Sequence, residues 1–139
     1  MQELLSKVNK NSINTHLYDR IGSKWIYIES NRYRNWEQAE AFCRGINGHL
    51  ITIQNVSELS ALNEKIKRST FYWLGITDVA KESDFVSVAS GQPPPFLKWA
   101  SSQPIDWNGK ANCVVIYNGV MYDEDCSKAY LFFCEASFD

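Results

Sequence analysis

The chain of 139 residues has 14 Lys and Arg against 16 Asp and Glu, a formal net charge of −2, and 45% hydrophobic residues. This length and apolar content predict one compact domain with a single small core. The slightly acidic balance gives no electrostatic footprint for a polyanion, which argues against nucleic acid as a partner. No apolar run reaches the roughly 18 to 20 residues that cross a bilayer, so membrane insertion is not expected.

The cysteines indicate the redox compartment. They form an even set without a Cys-x-x-Cys pair: Cys43, Cys113, Cys126 and Cys134. A structural zinc site is disfavoured because such sites draw paired ligands from tight turns, and only His16 and His49 could join the cysteines. Disulfides are the favoured interpretation, with three pairings open, and four buried free thiols are the alternative. Asn55 begins an Asn-Val-Ser glycosylation sequon, and both features predict a secreted, extracellular protein.

The beginning of the chain differs in composition from the rest. Residues 1–20 are polar and rich in Asn and Lys, and they are predicted to form a tail or the remnant of a neck. Residues 21–139 are predicted to form the folded domain. The first strand is predicted from Trp25 to Ile28, because this run is short, aromatic and β-branched.

Two amphipathic helices are predicted in the first half of the domain. Asn35 and Gln38 form a capping-box-like start. The apolar stripe that follows it at helical spacing is Trp36, Ala39, Phe42, Cys43 and Ile46. A second helix is predicted to begin at Asn55, with Glu58 completing its cap. Its stripe is Leu59, Leu62 and Ile66. The run from His49 to Ile53 between the helices predicts a second strand.

Helical periodicity ends after residue 70. The short β-like runs that follow are Phe71 to Leu74, Phe85 to Val88, Cys113 to Tyr117, Val120 to Tyr122 and Leu131 to Cys134. The dipeptide Asn118-Gly119 predicts a two-residue hairpin between the third and fourth of these runs. Two helices followed by many strands predict an α+β domain. The stretch from Ser90 to Asn112 contains all four prolines, which predicts a long irregular loop with a function.

Several residues in this order resemble the C-type lectin-like domain over about residues 22–136. The resemblance depends on Trp73 to Ile76, on Gln103-Pro104 in the long loop, and on the positions of the four cysteines. The chain is also similar to secreted insect C-type lectins, some of which occur in seminal fluid. The resemblance implies two helices with short antiparallel sheets and a long ligand-binding loop. It also implies two disulfides, which pair Cys43 with Cys134 and Cys113 with Cys126.

The resemblance implies a galactose-type sugar site in the long loop. Gln103-Pro104-Ile105 is similar to the Gln-Pro-Asp triplet of such sites, and Trp107 stands where an aromatic ring stacks on the sugar. The implied carbohydrate-binding residues are Gln103, Asp106, Trp107, Asp123 and Glu124. The implied calcium ligands are Gln103, Asp106, Asp123 and Glu124. Ile105 and Ala111 replace two expected ligands and count against calcium, because alkyl groups cannot coordinate it.

No catalytic motif is present, so the chain is not expected to be an enzyme. Two binding hypotheses remain open. Gln103 and Trp107 favour a lectin that recognises galactose-type glycans or glycoproteins. Ile105 and Ala111 favour a calcium-independent domain that binds a protein or glycoprotein partner. The physiological glycan and the oligomeric state stay open at this point.

Overall fold

The computed structural model describes residues 17–106 and 109–137. The helices and strands within these ranges are β1 (Asp19–Ile21), β2 (Lys24–Arg34), α1 (Trp36–Gly45), β3 (Gly48–Leu50), α2 (Val56–Asn63), β4 (Tyr72–Thr77), β5 (Val86–Ser87), β6 (Cys113–Tyr117), β7 (Val120–Glu124) and β8 (Tyr130–Ala136). This arrangement confirms the predicted α+β fold. The predicted start of the domain after residue 20 falls inside β1, and the preceding Tyr18 is already buried. No helix among the described residues is long and apolar enough to cross a membrane.

The described strands form one twisted sheet in the order β1-β2-β8-β4-β6-β7, with β3 added to β8 and β5 to β4. The pairing of β4 with β8 is parallel, whereas the pairings of the other named strands are antiparallel. The β6–β7 hairpin turns at Asn118-Gly119, as predicted. Both turn residues have positive φ, 49° and 84°, which is the conformation that a two-residue turn of this kind requires.

Both faces of the sheet are covered at β4, which explains why its sequence lacks a polar alternation. Tyr72, Leu74 and Ile76 belong to one core cluster, while Trp73 points to the other face and packs with Phe132. Position 75 of this strand requires glycine, because a Cβ there would come within 2.2 Å of the Leu50 carbonyl oxygen. The central strand is therefore held from both sides.

Helix α1 begins where the sequence predicts. Asn35 accepts the Gln38 N–H at 2.8 Å, and the Asn35 N–H donates to the Gln38 side-chain oxygen at 3.2 Å, which completes the capping box. Cys43 is fully buried on the inner face and forms a disulfide with Cys134 on β8. The second disulfide joins Cys113 to Cys126. Both implied pairings are thus confirmed.

Strand β1 was not predicted, and most element boundaries shift by a few residues from the prediction, as three of them illustrate. β3 ends at Leu50, because Ile51 donates its N–H to Phe133 while its carbonyl accepts the Gly75 N–H, so it bridges two strands outside a regular ladder. α2 ends at Asn63, one turn before Ile66, which still packs on the core from the following segment. β2 continues to Arg34 through an irregularity in its pairing with β8.

Candidate functional site

The long irregular stretch is anchored on β7. The Met121 carbonyl oxygen accepts the Ala100 N–H at 2.8 Å, and the Met121 N–H donates to the Lys98 carbonyl at 2.7 Å. The Trp99 ring packs edge-on against Phe85, with ring centroids 5.2 Å apart. These contacts fix the backbone from which residues 101–106 continue.

Gln103 and Asp123 hold the next part of the loop against the end of β7. The peptide bond between Gln103 and Pro104 is cis. Gln103 Oε1 accepts the Asp123 N–H at 3.1 Å. In return, the Asp123 carboxylate accepts the N–H groups of Ile105 at 3.1 Å and Asp106 at 2.6 Å. Gln103, Asp106 and Asp123 are therefore brought together at one edge of the domain.

The two apolar residues that replace expected calcium ligands provide no ligand oxygen in the folded chain. The Ile105 side chain is 55% exposed beside the Gln103–Asp123 contact and offers no ligand oxygen. Ala111 is buried and offers none either. Both Asp123 oxygens already accept backbone N–H groups, so this carboxylate closes the loop as an internal acceptor. Trp107, the implied stacking ring, lies outside the described residues.

The three consecutive acidic residues at the end of β7 have different partners. Glu124 accepts the Tyr130 hydroxyl at 2.6 Å and the Asp125 N–H at 2.8 Å. Burial, and then the bond to Glu124 with its charge, raise the pKa of Tyr130. Asp125 caps the next turn through Ser127, whose backbone and hydroxyl bonds lower the pKa of Asp125. The Glu124 side chain is thus engaged with β8, apart from the contact between Asp123 and the loop.

A second set of carboxylates meets the same loop from the other side. Asp78 directly follows β4, and its N–H donates to the Asn112 carbonyl at 3.0 Å. The carboxyl of Glu82, in the turn after Asp78, is exposed and is placed to share hydrogen bonds with the Asp106 and Asp78 carboxyls when one of these groups carries a proton. Loss of hydration at the Glu82 carboxyl, these bonds and the neighbouring negative charges raise the pKa of Glu82 to about 7. We call Asp78, Glu82 and Asp106 the carboxylate cluster.

The carboxylate cluster contains acceptor oxygens without donors. Asp78 is 2% exposed, and its Oδ2 accepts the Ser83 N–H at 2.8 Å. Asp78 Oδ1 and Asp106 Oδ1 are both buried, and they have no hydrogen-bond partner among the described residues. Within those residues, no three His, Cys, Asp or Glu side chains stand in a ready metal-binding arrangement. The donor chemistry nevertheless suits a hard divalent cation, which prefers carboxylate oxygens.

Sequence reasoning missed Asp78 and Glu82. The available signal was an acidic residue directly after a largely apolar strand, followed by Glu82 and Asp84 in a short turn. Such residues are usually solvated, and only the contact with Asp106 distinguishes this turn from an ordinary polar one. That contact depends on the left-handed backbone of Asp106, with φ of 52°, which the sequence does not specify.

Asn55, the predicted glycosylation site, is exposed at the start of α2. Its side-chain oxygen accepts the Glu58 N–H at 3.0 Å, so the residue is the predicted N-cap. Glycosylation substitutes the amide nitrogen and leaves this oxygen in place. Capping and glycosylation are therefore compatible at Asn55.

With this geometry in view, comparison with known proteins identifies the family. Residues 32–136 match the family described as Lectin C-type domain. The chain belongs to the C-type lectin domain family. This result confirms the resemblance that the sequence motifs indicated.

Relatives of this C-type lectin domain include insect proteins. The chain is 34% identical over 127 residues to "Accessory gland protein Acp29AB" of Drosophila melanogaster, covering 91% of the chain and 53% of that protein. It is 31% identical over 119 residues to "C-type lectin 37Db" of the same organism, covering 83% of the chain and 79% of that protein. The chain thus spans about half the length of the accessory gland relative.

A solved structure shares the fold. The mouse scavenger receptor C-type lectin carbohydrate-recognition domain superposes with a TM-score of 0.79 at 25% identity, covering 86% of this chain and 95% of that one. The family and the fold together make this chain a C-type lectin-like carbohydrate-recognition domain.

Proposed function

We propose that this domain is a secreted, non-catalytic lectin that recognises galactose-type glycans through the long loop. The observation that carries the proposal is the reciprocal contact of Gln103 with Asp123, which gathers Gln103, Asp106 and Asp123 at one edge. Sugar hydroxyls both donate and accept hydrogen bonds; at this edge the Gln103 amide NH₂ can donate, and each Asp123 oxygen keeps a second lone pair that can accept. Trp107 follows directly in the chain and would supply the ring that stacks on the apolar face of galactose.

The proposal of secretion is supported by covalent chemistry. Two disulfides account for all four cysteines, and such bonds persist in oxidising compartments. The exposed Asn55 sequon is consistent with passage through the secretory route and is proposed as a glycosylation site. The absence of a recognisable catalytic motif in the sequence supports a binding function.

Calcium fits the carboxylate cluster better than the Gln103–Asp123 contact. Asp78, Glu82 and Asp106 offer three carboxylates with two buried acceptor oxygens that lack donors, whereas each Asp123 oxygen already accepts one backbone N–H group. We therefore propose that these three residues would hold a calcium ion, with water or backbone oxygens completing its six to eight ligands. A bound cation would neutralise the mutual repulsion of the carboxylates and fix Asp106 in the loop.

Affinity chromatography on immobilised galactose, with immobilised mannose as the reference matrix, tests the main proposal. Retention on galactose is expected, with loss of retention in Gln103→Ala and Trp107→Ala. Gln92→Ala is the matched control, because Gln92 is exposed in the same irregular stretch and only its backbone forms hydrogen bonds. Equal retention on mannose, or unchanged retention of both loop variants, would contradict the proposal. Runs with calcium and with chelator show whether retention needs the metal.

Binding of a protein partner is the second candidate function, and exposed aliphatic side chains favour it. Val79 is 65% exposed next to Asp78, and Ile105 is 55% exposed next to Asp106. The carboxylate cluster is thus flanked by two apolar side chains, an arrangement found in protein-binding surfaces. Binding to a galactose-terminated glycoprotein before and after enzymatic removal of its glycans separates the two functions. Binding that survives deglycosylation and is lost in Ile105→Ser would replace the lectin proposal.

A further inference from the structure

A second concave surface lies between the end of α2 and the turn of the β6–β7 hairpin. Its volume is about 490 Å³, and its lining residues other than Ile66 are exposed, so it is open to solvent. The lining residues are Asn63, Ile66, Lys67, Arg68, Ser69 and Asn118. We call this surface the hairpin cavity. None of its residues belongs to the loop site or to the carboxylate cluster.

The walls of the hairpin cavity are held by hydrogen bonds. The Ser69 N–H donates to Asn118 Oδ1 at 2.7 Å, which ties the segment after α2 to the hairpin turn. The Lys67 N–H donates to the Tyr72 hydroxyl at 3.2 Å. Gly119 is closely approached by Asn63, since a Cβ at Gly119 would lie 3.1 Å from the Asn63 amide nitrogen. The cavity is therefore pre-formed by the fold.

The lining of the hairpin cavity is cationic. Lys67 and Arg68 both line it, and no carboxylate among the described residues does. Neighbouring Lys65 adds a third positive charge against the single negative charge of Glu64, in a chain whose net charge is −2. Among the described residues, the side chains of Lys67 and Arg68 take part in no ion pair. Their charges are available to a ligand.

We propose that the hairpin cavity binds an anionic saccharide, meaning a sugar that carries a sulfate or carboxylate group. The Arg68 guanidinium can bind such an anion through two parallel hydrogen bonds, and Lys67 adds a second charge. The cavity is larger than a bare oxyanion requires. Its remaining lining is polar except for Ile66, so amide and hydroxyl groups of Asn63, Ser69 and Asn118 can meet sugar hydroxyls. Binding here extends the proposed lectin function to a second site, without requiring the long loop.

The two sites are separated along one strand. The hairpin turn at Asn118 and the loop contact at Asp123 lie at opposite ends of β7, five residues apart in sequence, which corresponds to about 16 Å in an extended strand. A substitution in the hairpin cavity should therefore leave the loop unchanged. This separation allows each site to be tested alone.

Titration of the full chain by two-dimensional amide NMR tests the proposal, with galactose 6-sulfate, neutral galactose and inorganic sulfate as probes. Galactose 6-sulfate is expected to shift the Ser69 and Asn118 resonances. The variant Lys67→Gln/Arg68→Gln should weaken this binding at least about tenfold, because it removes two charge-assisted contacts. The control Arg32→Gln/Lys81→Gln removes one Arg and one Lys at exposed positions elsewhere and should bind as the parent does.

Three outcomes would overturn the inference. The first is the absence of galactose 6-sulfate shifts at Ser69 and Asn118, and the second is an equal loss of binding in the control variant. The third is inorganic sulfate binding as tightly as the sulfated sugar, which would mean a free-anion site only. Shifts of the Ile105 and Asp106 amide resonances by neutral galactose would instead support the proposal for the long loop. The two proposals can thus fail separately.

Discussion

Replacing Asp123 by Ala is expected to release the long loop from β7. The Asp123 carboxylate accepts the backbone N–H groups of Ile105 and Asp106 at 3.1 and 2.6 Å, and it is half-buried. Alanine removes both acceptors, so the two N–H groups would have to find water. The fold itself should persist, because β7 pairs with β6 through its backbone.

The magnitude follows from the two hydrogen bonds. A bond to a charged group contributes about 1.5 to 3 kcal/mol when buried. Partial exposure reduces this to about 1 kcal/mol for each bond, or about 2 kcal/mol for local opening of the loop. Since 1.4 kcal/mol corresponds to a factor of ten, amide exchange at Ile105 and Asp106 should accelerate about 30-fold.

Amide hydrogen exchange of the Asp123→Ala variant measures this effect directly. The amides of β6, Cys113–Tyr117, should keep their protection and serve as the internal reference. Asp123→Asn retains one carbonyl acceptor and should accelerate exchange less than alanine does. Asp19→Ala removes an exposed carboxylate in β1 and should change nothing in the loop. Unchanged exchange at Ile105 and Asp106 in Asp123→Ala would refute the idea that this carboxylate closes the loop.

Two further predictions concern stability. Replacing Cys43 and Cys134 by Ala should lower the free energy of unfolding more than replacing the other cysteine pair, because the paired cysteines are 91 and 13 residues apart. The loop-entropy model gives losses of about 5 and about 3 kcal/mol. Urea unfolding measures both losses, and equal losses would contradict the entropic argument. Millimolar calcium should raise the melting temperature of the parent by several degrees but not that of Asp78→Asn. Without calcium that variant should be at least as stable as the parent, since it loses a repelling charge; a destabilised variant would indicate structural damage instead.

The parts of the fold that could be predicted depend on local chemistry. Asn35 and Gln38 specify a capping box within four residues, and Asn118-Gly119 specifies a tight hairpin. Boundaries set by distant contacts were not predictable in the same way. Ile51 belongs to no regular strand because its N–H donates to Phe133 while its carbonyl accepts from Gly75, two partners that lie far away in the sequence.

In the candidate site, too, features set by local sequence could be predicted and features set by distant contacts could not. The sequence predicted a sugar site from Gln103, Asp106, Trp107, Asp123 and Glu124, and this remains a prediction. The structure brings Gln103 and Asp106 into contact with Asp123. Sequence reasoning could not indicate that Glu124 turns to Tyr130, because alternation along a strand is fixed only once the register of β7 is known. Nor could it connect Glu82 with Asp106, since that pair joins the turn after β4 to the long loop.

The two carboxylate groupings around the loop perform different physical tasks. Asp123 is satisfied by backbone donors, so the segment Ile105–Asp106 keeps its place against β7 through protein groups alone. Asp78 and Asp106 each retain a buried oxygen without a donor, and the exposed Glu82 carboxyl adds a third neighbouring negative charge, so this grouping is the part of the loop that a cation would stabilise. Removal of calcium should therefore loosen the Asp78–Asp106 side of the loop while leaving the Gln103–Asp123 contact intact. Glycan binding that depends on the latter contact can then persist, weakened, in the presence of a chelator.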